Sequence, residues 1–367
     1  MQSAIIIFFR KSLLLWHKRY NKRQLPWKGE TEVYRIWISE IILQQTRAEQ
    51  GLFYYRRFLD RFPTLQILAS APLSEVYKVW EGLGYYTRAR NLHATALKIQ
   101  EDHQGVFPND YSSILSLKGI GPYTAAAIAS FAFKLPYSVV DGNVVRVLSR
   151  FFGYATPADS TEGKKLFSSL AQECLDVKAP HIYNQAIMDF GATICKPDKP
   201  ACSSCLFRSE CVAFKQNKVS DFPVKKKSIT KKERYFLFYV LLHEGKLALQ
   251  KREADDIWKD LYQFPLEESE NKTKFTQTKI PSFIKSLSDW QRLSISVSAK
   301  QVLSHQRIHA RSIILMAPPN AKKPTGFTWV DPTELAQFPM PRILHLILKN
   351  GLYEVLTTHP EKKAKKS

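Results

Sequence analysis

The chain has 367 residues, 44% of them hydrophobic and 12% aromatic, which excludes a disordered protein and suffices for two or three domains with their own cores. Its formal net charge of +21 makes a polyanion the default partner, because each phosphate that a Lys or Arg neutralises releases counterions. No apolar run reaches the roughly 18 residues of a membrane span, and the N-terminal AIIIFF is too short for a secretion signal and has no basic residue before it. No membrane partner and a reducing cytoplasm are therefore expected.

Residues 1–216 read as helix after helix, separated by short turns of Gly, Pro or Asn. In VYRIWISEIILQQT, the i, i+3, i+4, i+7 spacing puts Val33, Ile36, Trp37 and Glu40 on one helical face. Glu40 thus takes a place where an apolar residue belongs. Desolvation there would raise its pKa, as a general acid requires; a helix-edge glutamate reaching water is the alternative. Next, GLGYYTRARNL sets Tyr85 and Tyr86 between a Gly-x-Gly turn and Arg88 and Arg90. Such aromatics stack on bases while arginines hold phosphates, although core packing by at least one tyrosine fits equally.

In the segment that ends in LKGIGPYTAAAIASF, Asp110 suits the cap of a helix carrying Tyr111, Ile114, Leu115 and Leu117. Gly119 and Gly121 then permit a tight turn, and Pro122 suits the first position of the following helix. Outward N–H groups at that helix start can bind a phosphate, so the stretch is either a phosphate clamp or an ordinary corner between helices. In SVVDGNVVRVLSRFF, Val144, Val147, Leu148, Phe151 and Phe152 form an apolar stripe, with Asn143 expected as N-cap. Asp141 is then left just outside the cap, as a turn residue or a functional carboxylate. Cys195, Cys202, Cys205 and Cys211 follow as C-x6-C-x2-C-x5-C, a compact thiolate set that suits Zn²⁺ or an iron–sulfur cluster, while Cys174 stands apart as a core residue.

A basic, aperiodic linker occupies residues 217–233. Beyond it YFLFYVLL, a turn at Glu244 and Gly245, and KLALQKR predict a β-hairpin. ARSIILMA and GFTWV are further strands, PRILHLILKNGL is a closing helix, and 358–367 is a basic tail.

Taken in order, PWK, SEIILQQTR, GLGYYTRARNLH, LKGIGPYTAAAI, VDGNVVRVLSR, NQAIMDFGATIC and the cysteine loop resemble the MutY adenine DNA glycosylases of the helix-hairpin-helix superfamily, over residues 26–211. The resemblance implies a multi-domain protein. An all-α, two-lobed glycosylase domain with an iron–sulfur loop would span 1–216, as a six-helix barrel near 25–135 and a second lobe of 1–24 with 136–216. The second lobe would carry a 4Fe-4S cluster on the four cysteines. An α+β MutT/Nudix-like domain would span 234–357.

The resemblance further implies removal of adenine mispaired with 8-oxoguanine or guanine in double-stranded DNA, by a monomer in the bacterial cytoplasm, at the nucleoid. Glu40 matches the acid that protonates adenine N7 and Asp141 the carboxylate that stabilises the oxocarbenium-like sugar. Gln45, Thr46, Leu83 and Tyr85 match residues that fill the gap, contact the orphaned lesion or line the base pocket. Trp27 matches a pocket residue, Lys28 stands where arginine is frequent, and Asn143 matches a residue that hydrogen-bonds near Asp141. Gly119 and Gly121 match the DNA-backbone anchor, with Arg88 as a further phosphate contact. Tyr123 occupies the position of the lysine of bifunctional glycosylase/lyases, which implies a monofunctional enzyme. In the C-terminal domain, which lacks a Nudix glutamate box, VLSHQ matches a lesion-sensing loop with Ser304 and His305 in place but Leu303 where phenylalanine is usual. Two other readings are an endonuclease-III-like enzyme for oxidised pyrimidines, disfavoured by Tyr123 and the C-terminal domain, and a non-catalytic iron–sulfur DNA-binding protein, disfavoured by the paired Glu40 and Asp141.

Overall fold

The computed structural model describes residues 2–226, 230–269, 290–293 and 298–349. Within them, 2–70 and 91–226 pack as one compact unit, and 71–90 and 230–349 as another. The tail and residues 350–357 of the expected Nudix-like domain lie outside the described residues.

The first unit is helical. Helix α1 (Gln2–Tyr20) is followed by α2 (Val33–Leu43), α3 (Ala48–Arg61) and α4 (Leu65–Ser70). Helix α5 (Leu73–Trp80) belongs to the second unit, and α6 (Tyr86–Asp102) starts there and ends in the first. Helices α7 (Tyr111–Ser116), α8 (Pro122–Phe131), α9 (Gly142–Phe152), α10 (Thr161–Cys174), α11 (Pro180–Thr193) and the short α12 (Val212–Lys215) complete it. Helix α2 begins on Glu32, whose carboxylate accepts from the amides of Tyr34 and Arg35, a side-chain cap for otherwise unsatisfied donors. It packs on α3 and α8. The small residues of α8, with Ala125 to Ala127 and Ala129 buried, permit that close approach.

A second core forms where Phe9, Leu13 and Trp16 of α1 meet Val147, Phe151, Phe190 and Phe207, with the Phe9 and Phe207 rings stacked 4.7 Å apart. Cys174 is fully buried in this core, as expected. Asp110 caps α7 by accepting from the Ser113 amide, and Pro122 opens α8. Residues 217–226, expected to open a linker, pack on this unit. Phe222 is buried, its carbonyl accepts from Arg150 Nε at 3.1 Å, and the Val224 carbonyl accepts from the Ala158 amide at 3.2 Å.

The second unit is built on a mixed sheet. Strand β1 (Lys232–His243) is nearly all apolar from Phe236 onward and buried, as a central strand must be. It runs antiparallel to β2 (Lys246–Lys251) through a turn in which Glu244 (φ 47°) and Gly245 (φ 73°) are both left-handed, the backbone a two-residue hairpin favours. After β3 (Tyr262–Gln263), β4 (Leu266–Ser269), β5 (Gln291–Leu293) and β6 (Ser298–Val302) comes β7 (Gln306–Met316), which lies parallel to β1 from Lys232 opposite Gln306 to Leu242 opposite Met316. Strand β8 (Thr328–Val330) pairs with β2, and helix α13 (Arg342–Ile347) follows. Both expected strands and the closing helix are therefore present.

Candidate active site

A cavity of about 580 Å³ opens in the helical unit, within the range that holds a drug- or nucleobase-sized ligand. Of the expected site residues, Trp27, Lys28, Glu40, Thr46, Tyr123, Asp141 and Asn143 all line it. Gln45 does not; it is exposed, with a left-handed backbone at φ 56°.

Glu40 is only 7% exposed, in the middle of the buried face of α2. Burial pushes its carboxyl up to about 7; a hydrogen bond from the Tyr123 hydroxyl opposes the rise, and the charge of Asp141 adds to it. A buried carboxyl of this kind keeps its proton near neutral pH, the condition for a general acid. Tyr123 titrates far above the ordinary range for a tyrosine, by burial and by the neighbouring Glu40 and Asp141, so its hydroxyl stays a donor.

Asp141 is the N-cap of α9, with its backbone extended (φ −99°, ψ −179°) and its Oδ1 accepting from the Val144 amide at 2.7 Å. The sequence reading gave the cap to Asn143. Both residue types cap well, but here Gly142 already lies inside the helix, so the extended residue is Asp141. Asn143 instead donates from Nδ2 to Asp141 Oδ2 at 2.6 Å. Arg146 fixes that amide: one guanidinium nitrogen donates to Asn143 Oδ1 at 2.7 Å and to the Gly191 carbonyl at 2.8 Å, and Nε donates to the Cys195 carbonyl at 2.7 Å. Burial raises the Asp141 pKa, while the Val144 and Asn143 hydrogen bonds and the charge of Arg146 oppose the rise. Asn184 steadies the approach to the cap. It is fully buried, donates to Ser130 Oγ and the Tyr137 carbonyl, and accepts from the Val139 amide.

The structure adds residues that the sequence reading missed. Asp189 on α11 is fully buried and holds Asn21 (2.8 Å), Arg23 (2.9 Å) and Lys28 (3.1 Å) around one carboxylate. Burial, the largest single effect, would raise its pKa, but these three partners together outweigh it and hold the carboxyl below its ordinary value. Arg23, Lys134, His181 and Gln185 also line the cavity.

The glycine turn has the geometry of a tight corner. Gly119 is left-handed at φ 81°, and a Cβ there would lie 2.7 Å from Asn91 Cβ, whereas one on Gly121 would meet nothing within 4 Å. Ile120 between them is buried and both glycines are exposed, so the turn anchors itself by one side chain and leaves its backbone open. The four cysteines of the expected cluster ring one small apolar hollow with Ile194, Pro200 and Phe214. Among the described residues, no three Cys, His, Asp or Glu side chains are placed to hold a single metal ion. Four thiols around one hollow are a donor set of the kind that binds a thiolate-held metal or an iron–sulfur cluster.

The remaining expected contacts lie in the second unit. Leu83 is buried. Tyr85 is exposed and left-handed at φ 51°, and its hydroxyl hydrogen-bonds Ser304 Oγ. Ser304 and His305 are exposed at the tip of the hairpin between β6 and β7. Arg88 turns inward: its guanidinium donates to the Gly84 carbonyl at 3.2 Å and lies over the rings of Trp80 and Tyr85. Burial lowers its pKa to about 10. It braces the turn as well as carrying charge.

Two family models match the chain: a helix-hairpin-helix superfamily base excision DNA repair protein over residues 38–173, and a NUDIX domain over residues 237–350. An adenine DNA glycosylase of Buchnera aphidicola subsp. Baizongia pistaciae is 35% identical over 84% of this chain and 86% of its own length. The chain belongs to the adenine DNA glycosylase family. The human adenine DNA glycosylase is 42% identical across 57% of this chain and 40% of its own length. Among solved structures, a thermostable thymine-DNA glycosylase aligns with a TM-score of 0.54 at 30% identity over 57% of this chain and 97% of that one. A non-covalent endonuclease III–DNA complex aligns at 0.52 and 20% identity over 59% of this chain and 98% of that one, a likeness of fold alone. The family is thus helical in its first domain and sheet-bearing in its second. Among the described residues, no helix is long and apolar enough to cross a membrane.

Proposed function

We propose that this chain is an adenine DNA glycosylase of base excision repair that hydrolyses the N-glycosidic bond of adenine mispaired with 8-oxoguanine or guanine. The observation that carries the reading is the pair Glu40 and Asp141 on one nucleobase-sized cavity, with Glu40 held protonated close to neutral pH. Glu40 donates its proton to N7 of the extruded adenine. The electron pair of the C1′–N9 bond leaves with the base, and the oxocarbenium-like sugar is stabilised by the Asp141 carboxylate. Water adds to C1′, and its proton returns to Glu40. The bond is broken once and the strand is left intact, because Tyr123 offers no amine for a Schiff base. Extruding the base costs a few kcal/mol, less at a mispair.

Asn143, fixed by Arg146, keeps Asp141 aimed while Asp141 also caps α9. The exposed Gly119–Gly121 turn holds the DNA backbone. Ser304, His305 and Tyr85 read the orphaned lesion, with Leu303 stacking less well than a phenylalanine would. Cys195, Cys202, Cys205 and Cys211 would hold a 4Fe-4S cluster, which would cross-link the 195–211 loop and take no part in bond cleavage.

The test uses a duplex with adenine opposite 8-oxoguanine, treated with and without alkali after incubation. Cleavage of the adenine strand only after alkali is the expected result. No cleavage in either condition, by protein that shows the visible absorbance of an intact cluster, overturns the reading. Cleavage without alkali, with borohydride-trapped adducts, overturns the monofunctional assignment.

A further inference from the structure

The active-site cavity contains a lysine that neither the catalytic scheme nor the family motifs use. Lys134 lies just past the end of α8, where its amide donates to the Ser130 carbonyl at 3.1 Å and the next amide, Leu135, reaches back to Ala129 at 2.9 Å. That bonding pattern closes a helix through a left-handed residue, and Lys134 has φ 57°. Glycine is the residue that takes this conformation without strain. A lysine here costs stability, and a residue kept in a strained conformation at a cavity invites a functional explanation.

The charges around the cavity supply one. Among the described residues that line it, the cations are Arg23, Lys28 and Lys134. Arg23 and Lys28 both pair with the buried Asp189, whose single charge offsets one of their two. The two lining histidines, His17 and His181, have pKa values lowered by burial and are uncharged at neutral pH. Lys134 is exposed, and among the described residues it makes no ion pair. Beside it, His181 feels its charge, and the buried Nδ1 of the His181 ring has no partner among the described residues. A nucleotide that enters past Glu40 and Asp141 must leave its flanking phosphates at the rim, near the Asp141 carboxylate, which repels them. Lys134 is the exposed cation placed to offset that repulsion, and His181 lies on the same cavity wall.

We propose that Lys134, with His181 beside it, binds the DNA phosphate that flanks the nucleotide entering the cavity. The inference rests on the adenine glycosylase reading above, and Lys134 acts in binding, not in bond cleavage.

The test is Lys134→Gly in the full chain, with Lys134→Arg as the conservative control. Binding is measured by anisotropy against salt concentration on a duplex with 8-oxoguanine opposite 2′-fluoro-2′-deoxyadenosine, whose glycosidic bond resists cleavage. Lys134→Gly should keep or raise Tm, because glycine relieves the strained turn. It should also weaken binding about tenfold at low salt and lower the slope of log Kd against log salt by about 0.9, the loss of one phosphate contact. Lys134→Arg should keep the wild-type slope. A wild-type slope in Lys134→Gly overturns the inference, and so does a fall in Tm, which would show the lysine held by the fold and not by a ligand. Adenine release by the wild-type protein is read in the same preparation. Its absence sinks the glycosylase reading, while the salt slopes still judge Lys134 on its own.

Discussion

Replacing Glu40 by glutamine should stabilise the helical unit while abolishing adenine release, and the gain should depend on pH. Between pH 4.5 and 7 the unfolded carboxyl ionises while the folded one keeps its proton, so wild-type stability falls as pH rises through that window. Below 4.5 both states are protonated and the effect vanishes; above 7 it is complete. The rise from 4.5 to about 7 corresponds to about 3 kcal/mol, taken as an upper bound. Glutamine carries no charge at any pH and still accepts from the Tyr123 hydroxyl. The variant should therefore match the wild type near pH 4.5 and exceed it by several degrees at pH 8, with roughly 2–4 °C of Tm for each kcal/mol in a unit of this size. Thermal unfolding followed by circular dichroism at 222 nm, which reports the helices, would measure the difference across that range. A Tm difference that stays constant from pH 4.5 to 8 would refute the buried, protonated Glu40 on which the catalytic argument depends.

Three further expectations follow from the same geometry. Asp141→Asn should leave Tm nearly unchanged, because asparagine caps a helix as well as aspartate, yet it should eliminate adenine release in single-turnover kinetics. Asp189→Ala should cost about 3–5 kcal/mol in urea unfolding, since it strands Arg23 and Lys28 without their shared buried counter-charge; a loss within 1 kcal/mol would contradict that account. Gly119→Ala meets both a left-handed backbone and the Asn91 side chain, so it should destabilise by about 1–3 kcal/mol and weaken binding to matched and mismatched duplexes alike, as a titration with each would show.

What could be read from the chain depended on how local the signal was. Glu40 was legible because one helical repeat suffices to show a carboxylate on an apolar face. The hairpin at Glu244 and Gly245 was legible from two short apolar runs and a turn between them. The cap of α9 was misassigned because Asp141 and Asn143 are chemically equal candidates two residues apart, and only the backbone angles choose between them. Asp189 was invisible: Asn21, Arg23 and Lys28 are all more than 160 residues away in the chain, and no periodicity announces such a meeting. Lys134 carries no signal in the sequence, because its positive φ and its place on the cavity wall exist only in the fold. The inward turn of Arg88 onto Gly84, Trp80 and Tyr85 was equally unpredictable, because charge alone does not say which way a guanidinium points. The grouping of residues 71–90 with the second unit has no signature in composition either.

The bonds around Asp189 also set a timetable for synthesis. Arg10 donates to the carbonyls of Cys174 and Glu173, and Arg23 pairs with Asp189, at separations of 164, 163 and 166 residues. At about 5–20 residues per second on a ribosome, α1 waits roughly 8–33 seconds after it emerges before those partners exist. During that interval Phe9, Leu13 and Trp16 lack the Phe190 and Phe207 rings that later cover them. A nascent chain stalled before residue 189 therefore leaves α1 only partly covered, by Val147 and Phe151 of α9, and leaves Arg23 without its buried counter-charge.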